Sequence, residues 1–230
     1  MPRHLQIETD HLKQRLLDIG GAVEEAFRLA VRAVTERDPA LARRVLDAHD
    51  VVDRLEVELE EECLKVLALY QPVASDLRFI VAVLKINNDL ERIGDLAENV
   101  ADRALAVAHA TELEIPYDFS GMADSARRML RGSLDALCDL DAAAARRVCA
   151  DDDRVDSINR DMYRRIKDAI QARPDRIDAL LHLLSASRYV ERIADHATNI
   201  AEDVIYMLEG GIVRHGLQEK RGGAPGPVAG

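Results

Sequence analysis

Tryptophan is absent from this chain, and aromatic residues make up only 3% of it. A core without large rings must be closed by thin aliphatic contacts, which favours long helices over sheets. Strand signals are missing too, because no stretch alternates apolar and polar residues with β-branched enrichment. The three cysteines, Cys63, Cys138 and Cys149, show no Cys-x-x-Cys spacing. They read as small buried residues of a reducing compartment and not as a disulfide framework. Residues 1–30 lack the apolar run of a signal peptide. The longest aliphatic or aromatic run is Phe79–Leu84, far short of the roughly 20 residues that span a bilayer. The chain also lacks a positive excess: its net charge is −11, with acids and bases interspersed. Such a surface argues against nucleic acid and anionic lipid as partners. Walker, Gly-x-Gly-x-x-Gly, nucleophile-elbow and His-Glu-x-x-His signatures are all missing. A cytoplasmic, helical, non-catalytic protein without membrane insertion is therefore expected.

What is present is apolar periodicity punctuated by proline. Almost half of the 230 residues are apolar, enough for a substantial core. Pro39, Pro72, Pro116 and Pro174 fall between periodic segments, where they can open helices without breaking them. Six helices are predicted, over 4–36, 40–70, 73–110, 118–140, 141–172 and 175–209. In the third, Phe79, Val83, Ile86, Leu90, Ile93, Ala97, Val100 and Ala104 step by four and three. That is a heptad-like seam suited to near-parallel packing in a bundle.

The same seam recurs 100 positions later as Leu183, Ala186, Val190, Ile193, Ala197, Ile200 and Val204. Seven of the twelve positions in 90–101 are identical in 190–201. The preceding helix repeats at an offset of 103, Ala42-Arg43-Arg44-Val45 returning as Ala145-Arg146-Arg147-Val148. The first helices match weakly, Gly21-Ala22-Val23-Glu24 against Gly132-Ser133-Leu134-Asp135. A duplicated three-helix unit is predicted, hence an all-α chain of two tandem three-helix bundles, 1–112 and 113–210. Residues 211–230, rich in glycine and proline, are expected to form a disordered tail.

The repeat preserves a polar ladder beside the seam: Glu91, Asp95 and Asn99 against Glu191, Asp195 and Asn199. Residues four apart stack on one helix face, and a single such pair reads as a solvated surface neutralised by Arg92 or Arg192. Core packing explains the recurrence of the seam but not that of the carboxylates, whereas Leu96/His196 and Glu98/Thr198 differ between copies. Carboxylates one turn apart make a hard oxygen site, and bundles build metal sites from side chains on facing helices. Asp50 and Asp53, repeated as Asp153 and Asp156, have two readings. They are ligands added from a neighbouring helix, or acids placed to favour the helix dipole by ~0.3–1 kcal/mol. Asn99 and Asn199 fit donors that orient carboxylates. His196 has no counterpart and fits a packed, hydrogen-bonded residue. The acidic run Glu58–Glu62 reads as a solvated face. Gly94, costing ~1 kcal/mol inside a helix and matched by Ala194, suggests a close helix approach beside the ladder.

Glu-Arg-Ile-Gly-Asp in the first half, Glu-Arg-Ile-Ala-Asp in the second, and Gln71-Pro72-Val73-Ala74-Ser75-Asp76-Leu77-Arg78 ahead of the third helix resemble the PhoU family. The resemblance covers roughly residues 5–209, and its one departure is Ala194 where glycine is usual. It implies a cytoplasmic regulator that restrains the phosphate-starvation response. It implies action with the ATPase subunit of the phosphate ABC transporter and with a phosphate-sensing histidine kinase. It also implies metal clusters of iron or zinc at Glu91/Asp95 and Glu191/Asp195, while hardness alone admits manganese or magnesium. Two other readings stay open: a carboxylate-bridged metal enzyme, and a metal-free helical adaptor. The native metal and any homo-oligomer are not fixed by the sequence.

Overall fold

The structure, a computed structural model, describes residues 3–108, 110 and 114–211. The expected boundary between residues 112 and 113, and the expected tail beyond Gly211, lie outside the described residues. Six helices are present: α1 (Arg3–Glu36), α2 (Pro39–Tyr70), α3 (Ser75–Val107), α4 (Phe119–Asp139), α5 (Ala142–Ala172) and α6 (Ile177–Glu209). They form two tandem three-helix bundles, with no strand among the described residues. A short 3₁₀ turn, Pro174–Arg176, precedes α6. It takes the place of the expected first turn of that helix.

The duplication is visible in the turns. Each half passes from its first to its second helix through a left-handed residue followed by an aspartate cap. Arg37 (φ 54°) and Leu140 (φ 55°) are those residues. The Asp38 side chain accepts from the Ala40 amide at 2.8 Å. Asp141 accepts from Ala143 at 2.8 Å and Ala144 at 3.0 Å, which satisfies amides that the first helical turn leaves free. Pro39 takes the first position of α2, where its missing N–H costs nothing. Pro72 and Pro116, expected to open helices, instead lie in connections, each three residues ahead of its helix. Helix α3 therefore begins at Ser75 and not at 73, because Ala74 (φ 51°, ψ −115°) breaks the helical path.

The predicted seams are the core, except that Phe79, at the start of the first, is only half-buried against it. Val83, Ile86, Leu90, Ile93, Ala97, Val100 and Ala104 of α3 are buried, as are Leu183, Ala186, Val190, Ile193, Ala197, Ile200 and Val204 of α6. Between the halves, α3 and α6 pack antiparallel. Lys85 Nζ meets Asp203 at 2.7 Å near one end of the contact, and Arg103 meets His182 at 3.4 Å near the other. Helices α1 and α4 also run antiparallel: Lys13 Nζ donates to the Cys138 carbonyl at 2.5 Å, and Glu24 lies 3.6 Å from Arg127. A Cβ at Gly20 would come within 2.8 Å of Leu134, so glycine sets the closeness of that crossing. The pairing of equivalent helices gives the halves an approximate two-fold relation, and one continuous apolar core runs through both.

Cysteine burial only partly follows expectation: Cys63 is buried, Cys149 is half-buried and Cys138 is exposed at the end of α4. The acidic run is not simply solvated either. Arg15 of α1 bridges Glu58 at 2.6 Å and Glu62 at 2.7 Å, while Glu60 and Glu61 stay exposed.

Candidate metal centres

Helices α2 and α3 are antiparallel neighbours, so the ladder on one faces a ladder on the other. Glu91, Asp95 and Glu98 on α3 face His49, Asp53 and Glu56 on α2. Both sets are spaced by four and then three, which keeps each on a single face. His49 Nε2 lies 3.3 Å from Glu98, 3.5 Å from Asp95 and 3.6 Å from Asp53. Ligand atoms of His49, Asp95 and Glu98 all fall within 4.8 Å of one another, on half-buried residues. Arg92 closes the outer edge, 3.1 Å from both Glu91 and Asp95. Glu91 is held above the ordinary carboxylate range, first by burial and then by Asp95. Burial raises Glu56 as well, followed by Glu60 and Glu91.

The second half builds the same frame from α5 and α6. Asp152, Asp156 and Asn159 occupy the places of His49, Asp53 and Glu56. Glu191, Asp195 and Thr198 occupy those of Glu91, Asp95 and Glu98. No histidine stands among these six. Asp195 remains open to solvent at its rim, yet its carboxyl is pushed up to about 6, by desolvation first and then by Glu191, Asp152 and Asp156. Glu191 is raised by burial and then by Asp156. Asp152 is raised by burial and then by Asp156.

Of the eight residues proposed from sequence, the fold brings together six: Glu91, Asp95 and Asp53 in one half, Glu191, Asp195 and Asp156 in the other. Asp50 and Asp153 do not join them. Both are exposed, because a three-residue step turns a side chain about 60° around the helix and carries these two past the packed face. The positions that do face inward are His49 and Asp152, four residues before Asp53 and Asp156. Sequence reading missed both, together with Glu56 and Glu98. The signal was available in the four-three spacing shared by 49/53/56 and 91/95/98. It was obscured because His49 and Asp152 differ in type, as do Glu98 and Thr198.

The asparagines do not orient the carboxylates as expected. Asn99 Nδ2 donates to the backbone carbonyl of Asp95 at 2.7 Å, and Asn199 Nδ2 reaches Asp89 at 3.3 Å. His196 is the packed, hydrogen-bonded residue anticipated, with Nδ1 2.7 Å from Asp89. Gly94 is buried against α2, but a Cβ there would meet only Val52, at an ordinary 3.6 Å. Its bare backbone helps to line an apolar cleft of about 250 Å³ between α1, α2 and α3, which reaches His49 and Glu98.

Fold and clusters together define a class: a duplicated three-helix bundle bearing a carboxylate-rich cluster between the second and third helices of each half. A family model described as the PhoU domain matches this chain twice, over residues 16–104 and 119–204. A Pseudomonas putida protein named phosphate-specific transport system accessory protein PhoU homolog is 37% identical over 90% of this chain and 82% of its own length. The crystal structure of PhoU from Pseudomonas aeruginosa superposes with a TM-score of 0.86 at 36% identity, covering 90% of this chain and 99% of that one. The structure of the phosphate transport system regulatory protein PhoU from Streptococcus pneumoniae gives 0.82 at 26% identity, over 92% and 100%. The chain belongs to the PhoU family.

Proposed function

We propose that this chain is a non-enzymatic, cytoplasmic accessory protein of a phosphate-specific transport system, that it restrains phosphate-starvation signalling, and that it binds metal in both halves. The observation that carries the metal reading is the pair of equivalent clusters, each drawing acids from two facing helices. Support for the first donor set is the closeness of its His49, Asp95 and Glu98 ligand atoms, within 4.8 Å of one another; support for the second is its equivalence in position. Carboxylates that raise one another's pKa are relieved by a multivalent cation, and His49 adds an imidazole at one of the two sites. Glu91, Asp95, Glu98, His49 and Asp53 would hold the ion in the first half. Glu191, Asp195, Asp152 and Asp156 would hold it in the second. A bound cation would supply fixed positive charge that ties α2 to α3 and α5 to α6. Iron or zinc fits the mixed first site, and manganese or magnesium suits the oxygen-only second. The names borne by the relatives support association with a phosphate-specific transport system, and the partners proposed there are its ATPase subunit and a phosphate-sensing kinase. No helix among the described residues is long and apolar enough to cross a membrane.

Two experiments test this. Deleting the gene is expected to switch phosphate-starvation genes on in phosphate-rich medium; unchanged expression would sink the regulatory reading. Protein purified without added metal is expected to carry metal without turnover. At a hundredfold excess over its dissociation constant, added metal is expected to stabilise the fold by ~2.7 kcal/mol. The Asp95→Asn/Asp195→Asn double variant is expected to lose most of that gain. Equal melting of both proteins with and without iron, manganese or zinc would leave the clusters as surface charge and favour the adaptor. Turnover dependent on the bound metal would favour the enzyme.

A further inference from the structure

The frame around the apolar cleft between α1, α2 and α3 is duplicated, but the residues that make the cleft apolar and open are not. Val45, Val52 and Gly94 form its buried floor, and Ala48 and Val51 its exposed wall. In the second half Asp151 and Arg154 take the positions of Ala48 and Val51, and Ala194 that of Gly94. The matching glycines of α1 and α4 report the same difference. A Cβ on Gly132 would meet Val148, the counterpart of Val45, at 3.0 Å, whereas one on Gly21 would meet nothing within 4 Å. At this level α4 and α5 close on each other where α1 and α2 leave room. Val51 is 45% exposed, an apolar side chain held open at the mouth. Such walls favour an apolar occupant over water.

Charge at the mouth narrows the class of occupant. Glu25, Arg44, His49 and Glu98 all line the cleft. Glu25 accepts two hydrogen bonds from Arg28, both at 2.7 Å. Glu98 lies 3.3 Å from His49. Arg44 forms no hydrogen bond or ion pair with the described residues, and Glu25 feels it only as a more distant charge than Arg28. The uncompensated group is therefore a guanidinium, whose planar fork matches a carboxylate. Size narrows the class further. Arg44 and Val52 are eight residues apart on α2, about 12 Å along its axis. A cavity of about 150 Å³ takes a benzene ring. The cleft, at about 250 Å³, suits one short aliphatic chain and falls short of a nucleotide or a two-tailed lipid.

We propose that the cleft binds a medium-chain fatty carboxylate, its chain against Val45, Val52 and Gly94 and its head at Arg44. Binding requires no metal, because head and chain are both met by protein groups. His49 and Glu98 line the same cleft and also belong to the first cluster. Occupancy therefore bears on the first cluster and not on the second, which gives the two halves different inputs.

The test adds octanoate to the full-length chain with chelator present, which separates its outcome from that of the metal reading. Calorimetry and methyl NMR spectra follow binding. One site is expected, with a dissociation constant on the order of 0.1–1 mM for so small a ligand. The methyl signals of Val45, Val51 and Val52 are expected to shift, while those of Val148 and Val155, the second-half counterparts of Val45 and Val52, stay in place. Gly94→Leu fills the floor, and Ala48→Asp puts the second half's charge on the wall. Each is expected to weaken binding at least about tenfold, and Ala48 is exposed, so its variant reports on the cleft where Gly94→Leu unsettles the fold. Arg44→Gln is expected to weaken octanoate about tenfold and to leave octanol unchanged. No saturable shift, or shifts spread equally over both halves, would overturn the proposal. So would equal affinity in Ala48→Asp, or octylammonium binding as tightly as octanoate. Valine shifts that follow protein concentration without octanoate would overturn it in favour of a second copy covering the cleft.

Discussion

The two carboxylate clusters share a backbone frame and differ in how their charge is balanced. In the first half His49 stands within 3.6 Å of three carboxylates, and Arg92 lies over the edge. In the second half Asp152 replaces the histidine, and four acids face one another without an imidazole among them. Asp195 is pushed up to about 6, by desolvation first and then by Glu191 and Asp152. The duplication keeps Asp53, Glu91 and Asp95 as Asp156, Glu191 and Asp195, while exchanges at 49/152, 56/159 and 98/198 change what surrounds them. The first site carries Arg92 at its edge and an imidazole among its carboxylates. The second draws its counter-charge from its rim, from Arg188 and Arg192 beside Glu191 and from His196 beside Asp195.

The largest expected effect comes from separating the halves. Helix α6 buries part of its seam against α3, so an isolated 113–210 segment bares residues each worth about 1.5–3 kcal/mol of burial. That loss is comparable to a whole domain's stability of roughly 5–15 kcal/mol. The segment is expected to be helical but to self-associate, with α6 pairing on itself in place of α3. Monomeric, cooperative unfolding followed by circular dichroism and ultracentrifugation would show instead that each half stands as an independent domain.

A smaller effect distinguishes the two copies at their matched small residue. Ala194→Gly is expected to destabilise by about 1 kcal/mol, the cost of glycine inside a helix. Gly94→Ala is expected to stabilise by up to about the same amount, because its methyl meets Val52 at an ordinary distance. Urea denaturation of both variants checks the pair. A destabilising Gly94→Ala would mean that the cleft beside His49 must remain open.

The smallest effects separate the charge balance of the clusters. A carboxyl with a raised folded pKa binds its proton more tightly folded than unfolded. Its contribution to stability is present at low pH and is lost as the pH rises through about 6. Metal-free protein is therefore expected to lose stability between about pH 4 and pH 7 through the second cluster. Asp195→Asn should flatten that slope and stabilise at pH 7, by less than about 1 kcal/mol once solvent screening is allowed for. His49→Asp should give the first cluster the same slope, and Asp152→His should reduce it in the second. Melting temperatures across that pH range, with chelator present, measure all three. Indistinguishable slopes in Asp195→Asn and wild type would remove the electrostatic distinction between the halves.

The helices, their seams and the duplication were legible from sequence because each follows from periodicity within one segment. Glu91, Asp95, Glu191 and Asp195 were legible because they recur at one phase beside a recurring seam. The partners from the neighbouring helix were only half legible. Asp53 and Asp156 were found, but Asp50 and Asp153 were chosen in place of His49 and Asp152. Rotation about a helix axis is fixed by what that helix packs against, and a three-residue spacing alone does not choose which member points inward.

By itself, the sequence determined the six helices, the offset between the halves and the phase of the acids on α3 and α6. Turn chemistry and apolar periodicity are local properties that any window of the chain carries. Tertiary structure alone decided that α3 meets α6 antiparallel and that α1 meets α4. It also decided that His49 faces Asp95 and Glu98 across a helix gap, and that Gly210 at the end of α6 lies against Arg78. Those relations join residues tens to more than a hundred positions apart, and only the packing of whole helices brings them within a few ångströms.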